Sequence, residues 1–384
     1  MTATDAVAAA VEEERRHSIW TRLYRGETSF DFVGKWRRWF AISAVVIVAG
    51  MAALGVKGLN FGIDFKGGTS WEVSTTAVTP SQARTALGAA GTNATIQTLG
   101  SGTSRTLDVQ AQVTGTPAQQ AATKQSVAAA LARLAHVNPT AVSETSVGPT
   151  WGGEITSKAI RALIIFFICI GLYITFRFEW KMAAAALIAV LHDLVVTVGI
   201  YALVGFPVTP ATVVGVLTIL GYSLYDTIVV FDRVRENAKG LGATGRLTYT
   251  DTVNLSMNQV LMRSLNTSIA AILPILSILL IGAELLGATT LQEFGLALVI
   301  GLTSGAYSSI FIASPLLSLF KEREPRYRGI RRKLEARGEA SLLLTPAAVA
   351  AMTGGGSSRP AALRGGALRA GAERAGGRAG GDGA

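Results

Sequence analysis

Six stretches of this chain are long and apolar enough to cross a lipid bilayer: WFAISAVVIVAGMAALGV (39–56), AIRALIIFFICIGLYITF (159–176), MAAAALIAVLHDLVVTVGIYALVG (182–205), ATVVGVLTILGYSLYDTIVVF (211–231), VLMRSLNTSIAAILPILSILLIG (260–282) and LQEFGLALVIGLTSGAYSSIFIASPLLSLF (291–320). A helix crosses the hydrocarbon core with about 20 mainly apolar residues, and lipid tolerates no unpaired backbone there. The runs therefore predict six transmembrane helices. Composition agrees, with 16% charged and 49% hydrophobic residues, whereas soluble domains carry about a quarter charged residues. The first run begins at residue 39, is of span length and lacks an A-x-A site. It reads as a retained span and not as a cleaved signal peptide.

Lysine and arginine in the short flanks set the orientation. Lys35, Arg37 and Arg38 precede span one, Arg177 and Lys181 separate spans two and three, and Arg233, Arg235, Lys239 and Arg246 lie between spans four and five. The opposite short connections, FPVTP and AELLGATT, carry neither lysine nor arginine. This places both termini in the cytoplasm. The net charge of +10 does not point to nucleic acid: from Lys321 onward there are thirteen Lys or Arg against six Asp or Glu, a net +7 in the tail alone. That Gly/Ala/Arg-rich tail has too little large apolar surface to fold and reads as a basic segment against anionic lipid.

The expected organisation is a cytoplasmic segment (1–38), span one (39–56), an extracytoplasmic domain (57–158), spans two to six (159–320) and a largely disordered basic tail (321–384). Within the outer domain, TSWEVST reads as a strand and TPSQARTALGAAG as a helix capped by Thr79 or Ser81 and stopped at Gly91. ATIQTLGS and SRTLDVQAQV read as strands joined by a glycine-containing turn, TPAQQAATKQSVAAALARLA as a helix, and AVSETSVG as a closing strand. The order β-α-β-β-α-β is the ferredoxin-like split βαβ arrangement. Two helices on one sheet face leave the other face and the edges for partners. Pro274 predicts a break in span five.

Enzymatic classes find no support. There is one cysteine, Cys169, and the three histidines, His17, His136 and His192, make no zinc motif. No GxGxxG, Walker A or GxSxG signature is present. No catalytic residue, metal or cofactor is expected, apart from protons as a coupling ion.

The chemistry lies in the few polar residues at lipid depth. Asp226 stands six residues before Asp232, roughly 9 Å of helix inside the charged fringe. An isolated aspartate in mid-membrane costs roughly 2.5–3.5 kcal/mol on insertion scales, so it faces a bundle interior, a partner or a water path. It reads either as a proton carrier or as a static clamp. Arg263, near the start of span five, is either its counter-charge or an arginine reaching for headgroups; it shares a helical face with Thr267. His192 and Asp193 in span three suggest a relay, or else hydrogen bonding to a neighbouring span, and adjacent helical residues need not touch. Tyr222 and Ser223 are candidates for the same polar seam, with packing the simpler role for the tyrosine. Glu293, at the outer mouth of span six, reads as solvated. Outside, Gly62, Gly67 and Gly68 surround Asp64, and Gly148, Pro149, Gly152 and Gly153 form the return segment. Both read as hinges or anchoring joints.

These strings in order (LYRGETSFDFVGKWRRW, GIDFKGGT, VGPTWGGEI, TFRFEWKMAAAALIAVLHD, GYSLYDTIVVFDRVREN and RSLNTS) resemble the SecF subunits of the bacterial SecD–SecF translocase accessory complex, relatives of the RND transporters. The resemblance covers roughly residues 20 to 323. It implies a proton-motive-force-driven aid to late steps of protein export across the cytoplasmic membrane, with SecD, the SecYEG channel and preproteins as partners. It also implies a proton path whose acid and arginine map onto Asp226 and Arg263. On that reading, protonation of Asp226 relaxes its attraction to Arg263 and moves the outer domain through the glycine joints. The rival readings are half of an RND-like exporter of a small molecule or lipid, and a passive scaffold of a membrane complex.

Overall fold

Each of the six apolar runs is helical in the structure, a computed structural model that describes residues 18–25, 28–89, 94–99, 105–240, 245, 247–285 and 289–336. The stop expected at Gly91, most of the turn between the two middle strands, part of the AELLGATT connection and the tail from residue 337 lie outside the described residues. A short helix α1 (Ile19–Arg25) precedes α2 (Trp36–Lys57), the first span. The others are α6 (Pro149–Arg177), α7 (Trp180–Val204), α8 (Pro210–Gly240), α9 (Tyr249–Ser277) and α10 (Thr289–Ser308). Beyond α10 the chain passes through a π-helical turn, Ser309–Ala313, into α11 (Ser314–Glu322), and α12 (Pro325–Ala336) follows.

Helix ends follow local chemistry. Gly205 ends α7 with φ 85°, a left-handed conformation that costs glycine little. Thr209, one residue before α8, accepts from the amide of Thr212 at 3.4 Å. Span five differs from expectation. The helix runs through Pro274 and widens into a π-helix over Ile278–Leu285, so the irregularity falls one turn later. Proline removes one donor and crowds the carbonyl four residues back, and a wider turn absorbs such a defect.

Between α2 and α6 lies the outer domain: β2 (Gly68–Ser74), α4 (Pro80–Ala89), β3 (Ala94–Leu99), β4 (Thr106–Ala111), α5 (Pro117–Ala135) and β5 (Ser143–Val147). The sheet order is β3-β4-β2-β5 with every pair antiparallel. That is the ferredoxin-like topology. Thr79 caps α4 in partnership with Gln82, and Thr116 and Gln119 form a capping box on α5. Register places Trp71 opposite Val109, which in turn faces Ile96. These residues, with Leu87, Leu107, Val127 and Leu131, fill the core between sheet and helices.

The second sheet face is less open than expected. Ser70, Thr106 and Asp108 point to it and are nonetheless buried. Ser70 Oγ donates to Asp108, and Gln110 Nε2 donates to its other oxygen at 2.7 Å. Asp108 and Glu72 also lie within electrostatic reach of Glu293 on α10. The edge strand β5 is exposed along nearly its whole length, as expected for an edge.

Three short elements near the first joint were not foreseen. The segment after span one forms a single helical turn, α3 (Ile63–Lys66), behind a short strand β1 (Asn60–Phe61). β1 pairs in parallel with β6 (Pro207–Val208), between α7 and α8.

The chain divides into two compact units. One comprises Trp36–Ile228 and Leu265–Ala313. The other comprises the described parts of Met1–Lys35, Val229–Ser264 and Ser314–Ala384. In this second unit two asparagines one turn apart on α9 satisfy an extended segment. Asn258 Oδ1 accepts from Phe30 N at 2.8 Å, and Asn254 Oδ1 from Phe32 N and Val33 N at 3.0 Å each.

Candidate functional site

Close helix crossings allow short polar side chains to meet inside the spans. A Cβ on Gly50 of α2 would stand 2.6 Å from Gly199 Cα of α7, closer than any real side chain approaches. A Cβ on Gly305 of α10 would stand 2.8 Å from Ser223 Cβ of α8. With backbones this near, a serine hydroxyl can bridge two helices, as small residues do at membrane interfaces.

Asp193 is the hub of that arrangement. It is completely buried, in the middle of α7. Its Oδ1 accepts from Ser304 Oγ at 2.7 Å, and its Oδ2 from Ser223 Oγ at 2.5 Å and Ser308 Oγ at 2.7 Å. His192 Nδ1 lies 3.1 Å from Oδ1, so the two neighbours in sequence do touch. The carboxylate thus ties spans three, four and six together.

A chain of polar contacts continues from the other side of the imidazole. His192 Nε2 lies 3.1 Å from Ser43 Oγ on α2, Ser43 donates to Tyr307 Oη at 3.3 Å, and Tyr307 donates to the Trp39 carbonyl at 2.8 Å. On α8, one turn beyond Ser223, Thr227 Oγ1 is 2.9 Å from Ser309 Oγ. Ser309 opens the π-helical turn of span six, and such turns recur where a helix serves a function.

Asp226 is 4% exposed and lies three residues beyond Ser223 on α8. Tyr222 is more than packing: its hydroxyl donates to the Thr267 carbonyl at 2.7 Å, joining spans four and five. Thr267 therefore contributes through its backbone. Arg263 is an exposed residue of α9 and belongs to the other compact unit. Glu293 is partly buried and accepts from Thr209 Oγ1 at 2.9 Å, so it is not the purely solvated residue expected.

The glycine segments meet each other. A Cβ on Gly152, in the first turn of α6, would stand 2.6 Å from the Phe65 carbonyl of α3. Gly153 has open space beside it. Gly148 is the N-cap of α6 and Pro149 its first residue, where a missing N–H costs nothing. Gly62 donates its N–H to the Val208 carbonyl at 2.9 Å. Gly67 and Gly68 have φ of 72° and 136°, and Gly68 brings its backbone against the Ala111 carbonyl. Burial raises the Asp64 carboxyl above its usual value, opposed by its own backbone N–H.

Sequence reasoning missed Ser43, Ser304, Tyr307, Ser308, Thr227 and Ser309. The available signal was the small-residue spacing of span six, in which Gly301, Gly305 and Ser304, Ser308 each recur after four residues. Among the described residues no group of His, Cys, Asp and Glu is arranged to hold a metal ion.

Comparison with known proteins assigns the family. Residues 126–323 match the family described as protein export membrane protein SecD/SecF, C-terminal, and residues 52–76 match the SecD/SecF GG motif. The chain is 41% identical to the protein translocase subunit SecF of Streptomyces coelicolor over 322 residues, covering 83% of this chain and 84% of that protein. It is 40% identical to that of Mycobacterium tuberculosis over 366 residues, covering 93% and 81%. The crystal structure of SecDF, a translocon-associated membrane protein from Thermus thermophilus, superposes with a TM-score of 0.67 at 33% identity over 78% of this chain. The match spans 39% of that longer SecDF chain.

Proposed function

This chain belongs to the SecD/SecF family of protein export membrane proteins, and we propose that it is the SecF part of a proton-driven export machine. It is a multi-pass membrane protein of the Sec pathway. It performs no covalent chemistry on its cargo; its work is to turn proton entry into movement. SecD, joined to SecF in the name of the longer relative, is the expected partner, with the SecYEG channel and emerging preproteins on the outer side. The arginine and lysine flanks put both termini in the cytoplasm, and the basic tail rests on anionic lipid.

Asp226 carries the reading. It is a buried acid in an apolar helix whose neighbouring turn already holds the Ser223–Asp193 contact. Gaining a proton removes its charge, and the helices around it settle into a different arrangement. Arg263 serves as the fixed positive charge of the path. One charge crossing the membrane releases about 2.3 kcal/mol per 100 mV, enough to bias a two-state movement. The movement reaches the outer domain through α3, which lies against α6 at Gly152, and through the β1–β6 pairing.

Replacing Asp226 by Asn keeps the size and fixes the neutral state. In inverted membrane vesicles, assembly with SecD should survive while the proton-dependent part of export is lost. Undiminished export by that variant contradicts the proposal.

A further inference from the structure

Deep in span three the hydrogen-bond directions count protons. The Trp39 carbonyl only accepts, so the Tyr307 hydroxyl donates to it at 2.8 Å. The Tyr307 oxygen then receives the single hydrogen of Ser43 at 3.3 Å. With that hydrogen committed, Ser43 faces His192 Nε2 at 3.1 Å as an acceptor, and the ring nitrogen must bear the hydrogen. At the other nitrogen, Nδ1 faces Asp193 Oδ1 at 3.1 Å. Three serines, Ser223, Ser304 and Ser308, already donate to this carboxylate, so that both of its oxygens serve as acceptors. Nδ1 must then donate as well. Both ring nitrogens carry hydrogen, one more than a neutral imidazole holds.

We propose that His192 and Asp193 form a proton-binding site of their own, a buried imidazolium–carboxylate pair loaded through Ser43. Loading adds a proton at Nε2 while Nδ1–H stays on Asp193. Unloading removes it, and the Ser43 hydroxyl turns to donate to Nε2. Ser43 then gives up its bond to Tyr307, at 3.3 Å the longest of the contacts running from Trp39 to Asp193. Proton occupancy therefore decides whether span one holds Tyr307 of span six at two points, Ser43 and the Trp39 carbonyl, or at the carbonyl alone. A groove of about 460 Å³ between α2, α7 and α10 is lined by Ser43, His192, Ser304 and Tyr307 among otherwise largely apolar residues.

The groups facing the pair are Ser43 from α2, Ser223 from α8, and Ser304, Tyr307 and Ser308 from α10. Tyr307 is the one titratable side chain among them, its ring stacked on the imidazole at 6.3 Å between centroids. Asp226 lies three residues beyond Ser223. The pair would be a second loading point beside Asp226, and its role in export rests on the proton-driven reading. Its protonation can be read without any export assay.

The chain has three histidines, so labelling with ¹⁵N-histidine gives few signals, and His192→Gln assigns the one of interest. The full chain is reconstituted in phospholipid bilayers and its ring nitrogens are observed by solid-state NMR at neutral pH. His192 should show both nitrogens protonated. Tyr307→Phe frees the Ser43 hydrogen to donate to Nε2 and should reduce the doubly protonated fraction several-fold. A singly protonated ring in the unmodified chain overturns the site. A doubly protonated ring indifferent to Tyr307→Phe overturns the route through Ser43. Neither result depends on whether Asp226→Asn stops proton-driven export, so the two readings can fail separately.

Discussion

Ser304 and Asp193 are joined by a 2.7 Å hydrogen bond that links span six to span three. Ser308, one helical turn further on, donates to the opposite carboxylate oxygen at 2.7 Å, so one face of α10 grips both sides of the acid. A buried acceptor deprived of its donor costs about 1–3 kcal/mol, and more when charged.

Ser304→Ala and Ser308→Ala together should therefore lower the thermal unfolding midpoint in detergent by several degrees. Thr303→Ala is the control: Thr303 is exposed and donates to the Val299 carbonyl of its own helix. Equal effects from the pair and the control would show that the Asp193 network contributes nothing to stability.

The crossing of α2 and α7 depends on two glycines. A Cβ on Gly199 would stand 2.9 Å from Gly50 Cα, whereas one on Gly55 has nothing within 4 Å. Gly199→Leu should push the spans apart and destabilise the protein, while Gly55→Leu should leave it unchanged. The comparison is read by thermal unfolding in the same detergent.

At the joint between outer domain and membrane, Gly152 and Gly153 separate two meanings of a glycine pair. If close packing matters, Gly152→Ala should raise hydrogen exchange in α3 and slow export, and Gly153→Ala should do neither. If flexibility matters, both substitutions should slow export to a similar degree.

Asp108 makes stability depend on pH. Burial raises its carboxyl above the ordinary value of 3.8, against the hydrogen bonds from Ser70 and Gln110. The folded state thus binds the proton more tightly than the unfolded state. The contribution is full below 3.8 and is lost as pH rises through the folded value. Asp108→Asn, with Gln110 turning its amide to accept, should remove this dependence and strengthen the protection of β4 amides at neutral pH. Hydrogen exchange of the full chain on either side of that window checks it; a steeper dependence in the variant would contradict it.

The spans were legible because a helix in lipid must be apolar over its whole length, and the strands of the outer domain because Trp71, Val73, Leu107 and Val109 alternate with polar residues. Asp226 stood out for the complementary reason, as a charge where lipid penalises one. The partners of Asp193 did not stand out. Ser304 and Ser308 lie 111 and 115 residues away in the chain, and no local pattern pairs a serine with a distant acid. Successive helical side chains diverge by roughly 100°, yet the imidazole reaches sideways far enough for Nδ1 to meet Asp193 at 3.1 Å. The burial of Asp108 was also out of reach, since the strand pattern shows which residues share a face and not what lies beyond it.

The most direct test of the whole account is the ionisation of Asp226 itself. Infrared difference spectra of the full chain in bilayers, with isotope-labelled aspartate and Asp226→Asn as the subtraction reference, isolate its carboxyl. The account expects a protonated-carboxyl band that grows as the medium is acidified and fades as it is made alkaline, together with amide changes from moving helices. A carboxyl fixed in one ionisation state throughout, with the amide bands unchanged, would contradict it.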